Sequence, residues 1–97
     1  MRVAIIDSGG SNLRSVAKAI DRLNKSYVIT DIADEIIKAS FVILPGVGSA
    51  KNVMNELNEK NLVGVIKNLK QPVLGICIGM QILFEYSAEG NTKCLGL

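Results

Sequence analysis

The chain contains no histidine and no tryptophan, and aromatic residues make up only 4% of it. Histidine is the side chain that most often exchanges protons or binds metals near neutral pH, so such chemistry would need other groups here. The net charge is only +2, and the lysines and arginines are scattered without aromatic residues among them. That pattern is typical of a solvated surface, and it argues against a nucleic-acid partner.

Long hydrophobic runs are also missing. The longest uncharged apolar stretch extends from Pro72 to Phe84, and a membrane span needs about 20 residues. Residues 1–7 are too short for the apolar centre of a signal peptide. We therefore expect a cytoplasmic protein that does not contact membranes, with its two cysteines, Cys77 and Cys94, as free thiols. Because these cysteines lack the spacing of metal ligands, we expect no metal site.

Short apolar runs rich in valine, isoleucine and leucine alternate with stretches of helical periodicity. The length suits one domain. The predicted strands are residues 2–7, 26–31, 41–45 and 72–76, and the predicted helices are 12–24, 33–39, one or two within 50–69, and 79–87. This alternation predicts an α/β fold with an open parallel sheet of about four strands, covered by helices on both faces. The tail from residue 88 is predicted to be turn-like, and the chain is expected to end in mid-architecture.

Three of the four predicted strands end in loops that contain glycine, at residues 7–12, 45–50 and 75–79. The carboxyl ends of parallel strands meet at one edge of the sheet, where ligands bind in open α/β folds. We therefore expect these three loops to lie close together.

The sequence GICIG, residues 75–79, has the pattern of a nucleophile elbow, a sharp strand-to-helix turn with small residues on both sides of a nucleophile. Cys77 would project from that turn at the start of a helix, where the thiolate is favoured. The N–H of Ile78 would face an oxyanion formed beside Cys77. Gln81 would lie on the same helix face and contact a substrate. The alternative is that Cys77 is a small buried hydrophobic residue and the glycines only allow close packing.

The other two loops carry weaker signals. In PGVGSA, residues 45–50, the N–H of Val47 or Gly48 would supply a second oxyanion donor, or the segment is an ordinary turn. In DSGGSN, residues 7–12, two adjacent glycines suggest a phosphate loop without the full dinucleotide spacing. A tight turn is the simpler interpretation, and we expect no cofactor.

Three segments in this order resemble the triad, or class I, glutamine amidotransferases: IIDSGGSNLRSV, ILPGVGSA and PVLGICIGMQILFEYSAEG. The resemblance covers essentially the whole chain. GICIGMQ is typical of the family, and the opening D-x-G-x-x-N-L-x-S together with LPGVG indicates the branch that serves histidine biosynthesis. The resemblance implies a flavodoxin-like fold and residues 1–97 as the N-terminal part of a single amidotransferase domain.

The resemblance also implies a mechanism. Cys77 attacks the amide of glutamine and forms a thioester, and the backbone of Val47, Gly48 and Ile78 stabilises the oxyanion. Gly48 and Gln81 help to hold glutamine. The ammonia passes to a (β/α)₈ cyclase subunit, and the loop of residues 7–12 lies at the partner-facing edge, near Asn12.

One departure from the family pattern is large. The base and its orienting carboxylate form a His-x-Glu pair in relatives, and these residues contain no histidine. We therefore predict that residues 1–97 alone do not turn over glutamine and that one sheet edge lies bare. Three other hypotheses remain open: another triad amidotransferase, a non-catalytic flavodoxin-like binding or assembly module in which Cys77 only packs, or nucleotide binding at residues 7–12.

Overall fold

Four parallel strands form the central sheet of the computed structural model, which describes residues 2–9, 13–87 and 92–97. The strand order is β2-β1-β3-β4. The elements are β1 (Arg2–Ile6), α1 (Leu13–Arg22), β2 (Ser26–Thr30), α2 (Ala33–Lys38), β3 (Phe41–Gly46), α3 (Ala50–Glu59), α4 (Val63–Lys67), β4 (Val73–Cys77), α5 (Ile78–Gln81), β5 (Tyr86–Ser87) and β6 (Thr92–Lys93). The predicted α/β class and parallel sheet are confirmed.

The order of strands places helices on both faces of the sheet. The chain moves from β1 outward to β2 and then returns past β1 to β3, so that α1 and α2 cover opposite faces. On β1, Val3 and Ile5 face α1, whereas Ala4 and Ile6 face the larger core beneath α2, α3 and α4. Because both faces are buried, β1 is apolar at four successive positions rather than alternating.

Two side chains complete helix ends. The Oγ of Ser49 accepts a hydrogen bond from the N–H of Asn52 at 3.1 Å and thereby caps α3. At the other end of the sheet, Gln71 Nε2 lies 3.0 Å from the carbonyl oxygens of both Ile36 and Ala39. This amide satisfies carbonyls at the end of α2 and ties that helix to the start of β4.

The helix predicted at residues 79–87 is present only in its first turn, and its predicted length is wrong. Helix α5 ends at Gln81, and a short antiparallel pair, β5 and β6, follows instead. The N–H groups of Leu95 and Gly96 donate to the carbonyls of Ile82 and Phe84 at 2.8 and 2.9 Å. The tail therefore takes the carbonyls that a longer helix would have used, and it buries Leu95 completely. The tail from residue 88 was predicted to be turn-like: residues 88–91 lie outside the described residues, and Thr92–Lys93 form strand β6 instead.

Within the described residues, β4 is at the edge of the sheet and pairs only with β3. This single pairing agrees with the prediction of a bare edge, and Leu74 on the same strand is 48% exposed. Among the same residues, none of the helices is both long enough and apolar enough to span a membrane.

Candidate functional site

Cys77 is the last residue of β4 and the residue immediately before α5. Its backbone has φ 56° and ψ −120°, a conformation that residues with a side chain rarely adopt. Such strain costs about 1–3 kcal/mol and persists only where the surroundings impose it, which is often at functional sites. The side chain is exposed. The interpretation of Cys77 as a buried packing residue is therefore wrong.

The glycines on both sides of Cys77 are required by close backbone packing. A Cβ atom on Gly79 would collide with the carbonyl oxygen of Leu44 on β3. A Cβ atom on Gly75 would lie 2.8 Å from the carbonyl oxygen of Gly79 and 2.7 Å from the Cα of Met80. The first turn of α5 therefore folds back directly onto β3 and β4, and this contact fixes the bend at Cys77.

The turn of residues 45–48 lies beside this bend. Gly46 is the register partner of Cys77 on the neighbouring strand. A Cβ atom on Gly46 would lie 2.9 Å from the backbone nitrogen of Gly79, so the two turns are in direct contact. Val47 is 48% exposed, and Gly48 has φ +91° with open space where a side chain would be. The structure thus brings these two predicted loops together, and the hydrogen bond from Ser8 Oγ to the carbonyl oxygen of Pro45 joins the described start of the 7–12 loop to them.

The structure describes two of the other predicted site residues, Ile78 and Gln81, but not Asn12. Ile78 opens α5 directly after Cys77, so its N–H lies at the same bend, and Gln81 is the last, half-buried residue of that helix. Asn12, predicted to face a partner, lies outside the described residues. Cys77 is a free thiol, as expected, whereas Cys94 is buried near the tail, where its Sγ donates to the carbonyl oxygen of Thr92 at 3.6 Å.

The first loop begins with a tight turn rather than a phosphate cradle. The N–H of Gly9 donates to Asp7 Oδ1 at 3.1 Å, and Gly9 has φ +80°. Glu56 of α3 is so near that its Oε2 would lie 2.8 Å from a Cβ atom on Gly9. The carboxylates of Asp7 and Glu56 beside the turn would repel the negative charge of a phosphate. Gly9, Val47 and Gly48 line one cavity of about 450 Å³.

Two residues near these turns were missed by the sequence analysis. Lys60 Nζ donates to the carbonyl oxygen of Asp7 at 2.9 Å and lies 3.3 Å from Asp31 Oδ2. Ser8 is completely buried, and its Oγ donates to the carbonyl oxygen of Pro45 at 3.5 Å. No local pattern marks either residue, because the hydrogen bonds of Lys60 and Ser8 join positions 53 and 37 residues apart. Among the described residues, no group of histidine, cysteine and acidic side chains could hold a metal ion.

The sequence was compared with models of known protein families. Residues 4–93 match the family model described as glutamine amidotransferase class-I. The chain belongs to the class-I glutamine amidotransferase family. The resemblance and the fold that it implied are therefore confirmed.

Amidotransferase relatives of one kind match nearly the whole chain. The imidazole glycerol phosphate synthase subunit HisH 2 of Legionella pneumophila (strain Paris) is 50% identical over 98% of this chain and 48% of its own length. The corresponding subunit HisH of Dehalococcoides mccartyi is 50% identical over 98% of this chain and 48% of its own. That of Idiomarina loihiensis is 50% identical over 100% of this chain and 50% of its own. The chain spans about half the length of these curated relatives.

Proposed function

We propose that these residues carry the nucleophile and the oxyanion donors of a glutaminase, the one that serves imidazole glycerol phosphate synthase in histidine biosynthesis. It would act in the cytoplasm and pass ammonia to a (β/α)₈ cyclase subunit. The observation that carries this proposal is the exposed, strained Cys77 beside Gly46, at the edge where the 45–48 turn also lies. A packing residue would need neither the exposure nor the strain.

The reaction follows from the position of the thiol. The Cys77 sulfur forms a bond to the amide carbon of glutamine, and the carbonyl electrons move to oxygen. The N–H of Ile78 and the backbone of Val47 and Gly48 would stabilise that oxyanion. The C–N bond then breaks, the nitrogen leaves as ammonia after taking a proton, and a thioester remains. Water hydrolyses the thioester to glutamate and restores the thiol, while Gln81 and Gly48 help to hold the substrate.

Two steps need a proton carrier. The leaving nitrogen must be protonated and the attacking water must be deprotonated, which in thiol enzymes is usually the work of histidine. None of the 97 residues is histidine. We propose that a His-x-Glu pair outside these residues, on the same or another polypeptide, supplies this group. Residues 1–97 alone would then not turn over glutamine, although the Cys77 thiol would still react with an electrophile whose leaving group needs no proton.

The similar proteins support a cyclase subunit as the partner. Their printed names make them subunits of a synthase, and their identity to this chain reaches 50%. By the family resemblance, the edge near Asn12 would face the cyclase. Subunit recognition at that edge would let ammonia leave the site without entering bulk water.

The test uses a chloroketone analogue of glutamine, in which a CH₂Cl group replaces the amide nitrogen. The Cys77 sulfur would bond to that carbon, and chloride would leave with the bonding electrons. We expect modification at Cys77, slowed by glutamine and absent in Cys77→Ser. Cys94→Ser is the matched control and should react like the wild type, because Cys94 is buried. Reaction that glutamine does not slow, or that follows Cys94, would overturn the proposal.

A further inference from the structure

Lys60 is the residue that follows α3, and its side chain contacts two strand ends at once. Its ammonium donates to the Asp7 carbonyl at 2.9 Å and lies 3.3 Å from the Asp31 carboxylate. Asp31 is 48% exposed, so the ion pair alone contributes little. The hydrogen bond to Asp7 is charge-assisted and joins positions 53 residues apart, which makes it the stronger restraint.

The bond from Lys60 is one of three that fix the backbone around Ser8. On the strand side, the N–H of Asp7 donates to the carbonyl of Thr30 at 2.9 Å. On the far side, the N–H of Gly9 donates to Asp7 Oδ1 at 3.1 Å. Ser8 lies between these anchors and is completely buried. Its position therefore depends on how firmly the Asp7 main chain is held against α3.

Ser8 in turn contacts the second turn of the site. Its hydroxyl donates to the carbonyl of Pro45 at 3.5 Å, a long hydrogen bond that a small displacement would break. Pro45 begins the 45–48 turn, and the next residue, Gly46, is the register partner of Cys77. A continuous path of contacts thus runs from Lys60 through Asp7, Ser8 and Pro45 to the turn beside the nucleophile.

We propose that Lys60 is a positioning residue for the 45–48 turn. It acts through the Asp7 main chain and the Ser8 hydroxyl, and it holds the backbone of Val47 and Gly48 where the oxyanion forms. This inference rests on the proposed function, because it assigns that turn to the oxyanion. Lys60 itself touches none of the reacting atoms in this assignment.

The experiment compares two reagents on Cys77 in the protein as it is expressed. The chloroketone analogue of glutamine would bind in the glutamine site, with its carbonyl oxygen against the donors of the 45–48 turn while the sulfur displaces chloride. Iodoacetamide is too small to require that site, and it reports access to the thiol. In Lys60→Met we expect the chloroketone rate to fall about tenfold relative to the iodoacetamide rate. This loss is smaller than the roughly hundredfold or greater fall in kcat when an oxyanion donor is removed, because Lys60→Met would only displace the donors. A general loss of structure would change both rates together.

Matched variants distinguish the positioning role of Lys60 from the effects of losing a positive charge or of unfolding. Lys60→Arg keeps a cationic donor and should restore the ratio, and Lys51→Met removes an exposed lysine from α3 and should leave it unchanged. Amide hydrogen exchange at Gly9 should be faster in Lys60→Met only. If Lys60→Met does not fold, Ser8→Ala tests the same path from its other end and should lower the ratio as well.

Several results would overturn the inference. These are an unchanged ratio in Lys60→Met or in Ser8→Ala, an equal loss in Lys51→Met, and unaltered exchange at Gly9. Failure of the proposed function looks different: the wild type itself would show no glutamine-protected chloroketone reaction. The exchange at Gly9 would still report on the contact from Lys60 in that case.

Discussion

Gly46 and Cys77 lie opposite each other at the carboxyl ends of β3 and β4. One has no side chain because the backbone of Gly79 occupies the adjacent space, and the other holds a side chain in a backbone conformation suited to glycine. The same packing of α5 against the sheet accounts for both. The backbone conformation of Cys77 and the position of the neighbouring turn are therefore set by backbone contacts, and small substitutions there should have large effects.

Gly79→Ala should destabilise the protein by about 3 kcal/mol, because the new methyl group would meet the main-chain carbonyl of Leu44, which cannot move without disturbing β3. Urea denaturation measures this change. Gly64→Ala is the control: a Cβ atom there has nothing within 4 Å and lies in helix α4, so it should stabilise the protein by about 0.5–1 kcal/mol. Equal effects of the two substitutions would contradict the packing described for α5.

Cys77→Gly should be more stable than Cys77→Ala. Alanine keeps the strained backbone at φ 56°, which costs about 1–3 kcal/mol, whereas glycine removes the strain and adds about 0.5–1 kcal/mol of unfolded-state entropy. The difference should favour glycine by about 1 kcal/mol in thermal or urea unfolding. Alanine as stable as glycine would mean that the elbow holds no strain in solution.

The bend at Cys77 was predictable from the sequence, because glycines two residues before and two residues after a cysteine are typical of a sharp strand-to-helix turn. The end of the next helix was not. Residues 79–87 have helical periodicity, and only the hydrogen bonds from Leu95 and Gly96 show why the helix stops at Gln81. Local pattern predicts an element, whereas competition from a distant segment decides where it ends.

The path from Lys60 to the 45–48 turn lay beyond sequence reasoning for a similar reason. A lysine at the end of an amphipathic helix is ordinarily a solvated residue, and a serine after a strand is ordinarily part of a turn. Their roles depend on how α3 packs beside the carboxyl ends of β1 and β2, which no short motif encodes. The glycine loops were predictable because their backbone conformation is set by neighbouring residues in the sequence. The polar contacts of Lys60 and Ser8 were not, because they depend on tertiary packing.

Gln71→Glu should destabilise the protein more than Gln71→Ala. The amide nitrogen donates to carbonyls at the end of α2, with Ile36 and Ala39 both at 3.0 Å. Alanine removes these bonds at a cost of about 1–2 kcal/mol, whereas glutamate places a negative charge against the same oxygens. Lowering the pH until the new carboxyl group is protonated should recover part of the difference in urea unfolding. No such recovery, or a neutral effect of alanine, would mean that this side chain does not cap α2.

Leu74→Lys should reduce self-association of the 97-residue chain. Within the described residues, β4 pairs on one side only, carries no charged residue, and leaves Leu74 48% exposed. An unpaired apolar edge of this kind templates pairing with another chain, and a lysine on it is a common means of preventing that. Light scattering or sedimentation against concentration should show the wild type associating and the variant shifted toward monomer. Leu23→Lys is the control, because Leu23 is 65% exposed but lies in the turn after α1 and not on a strand. If both lysines reduce association equally, the cause is added charge, and the open edge of β4 has no special part in it.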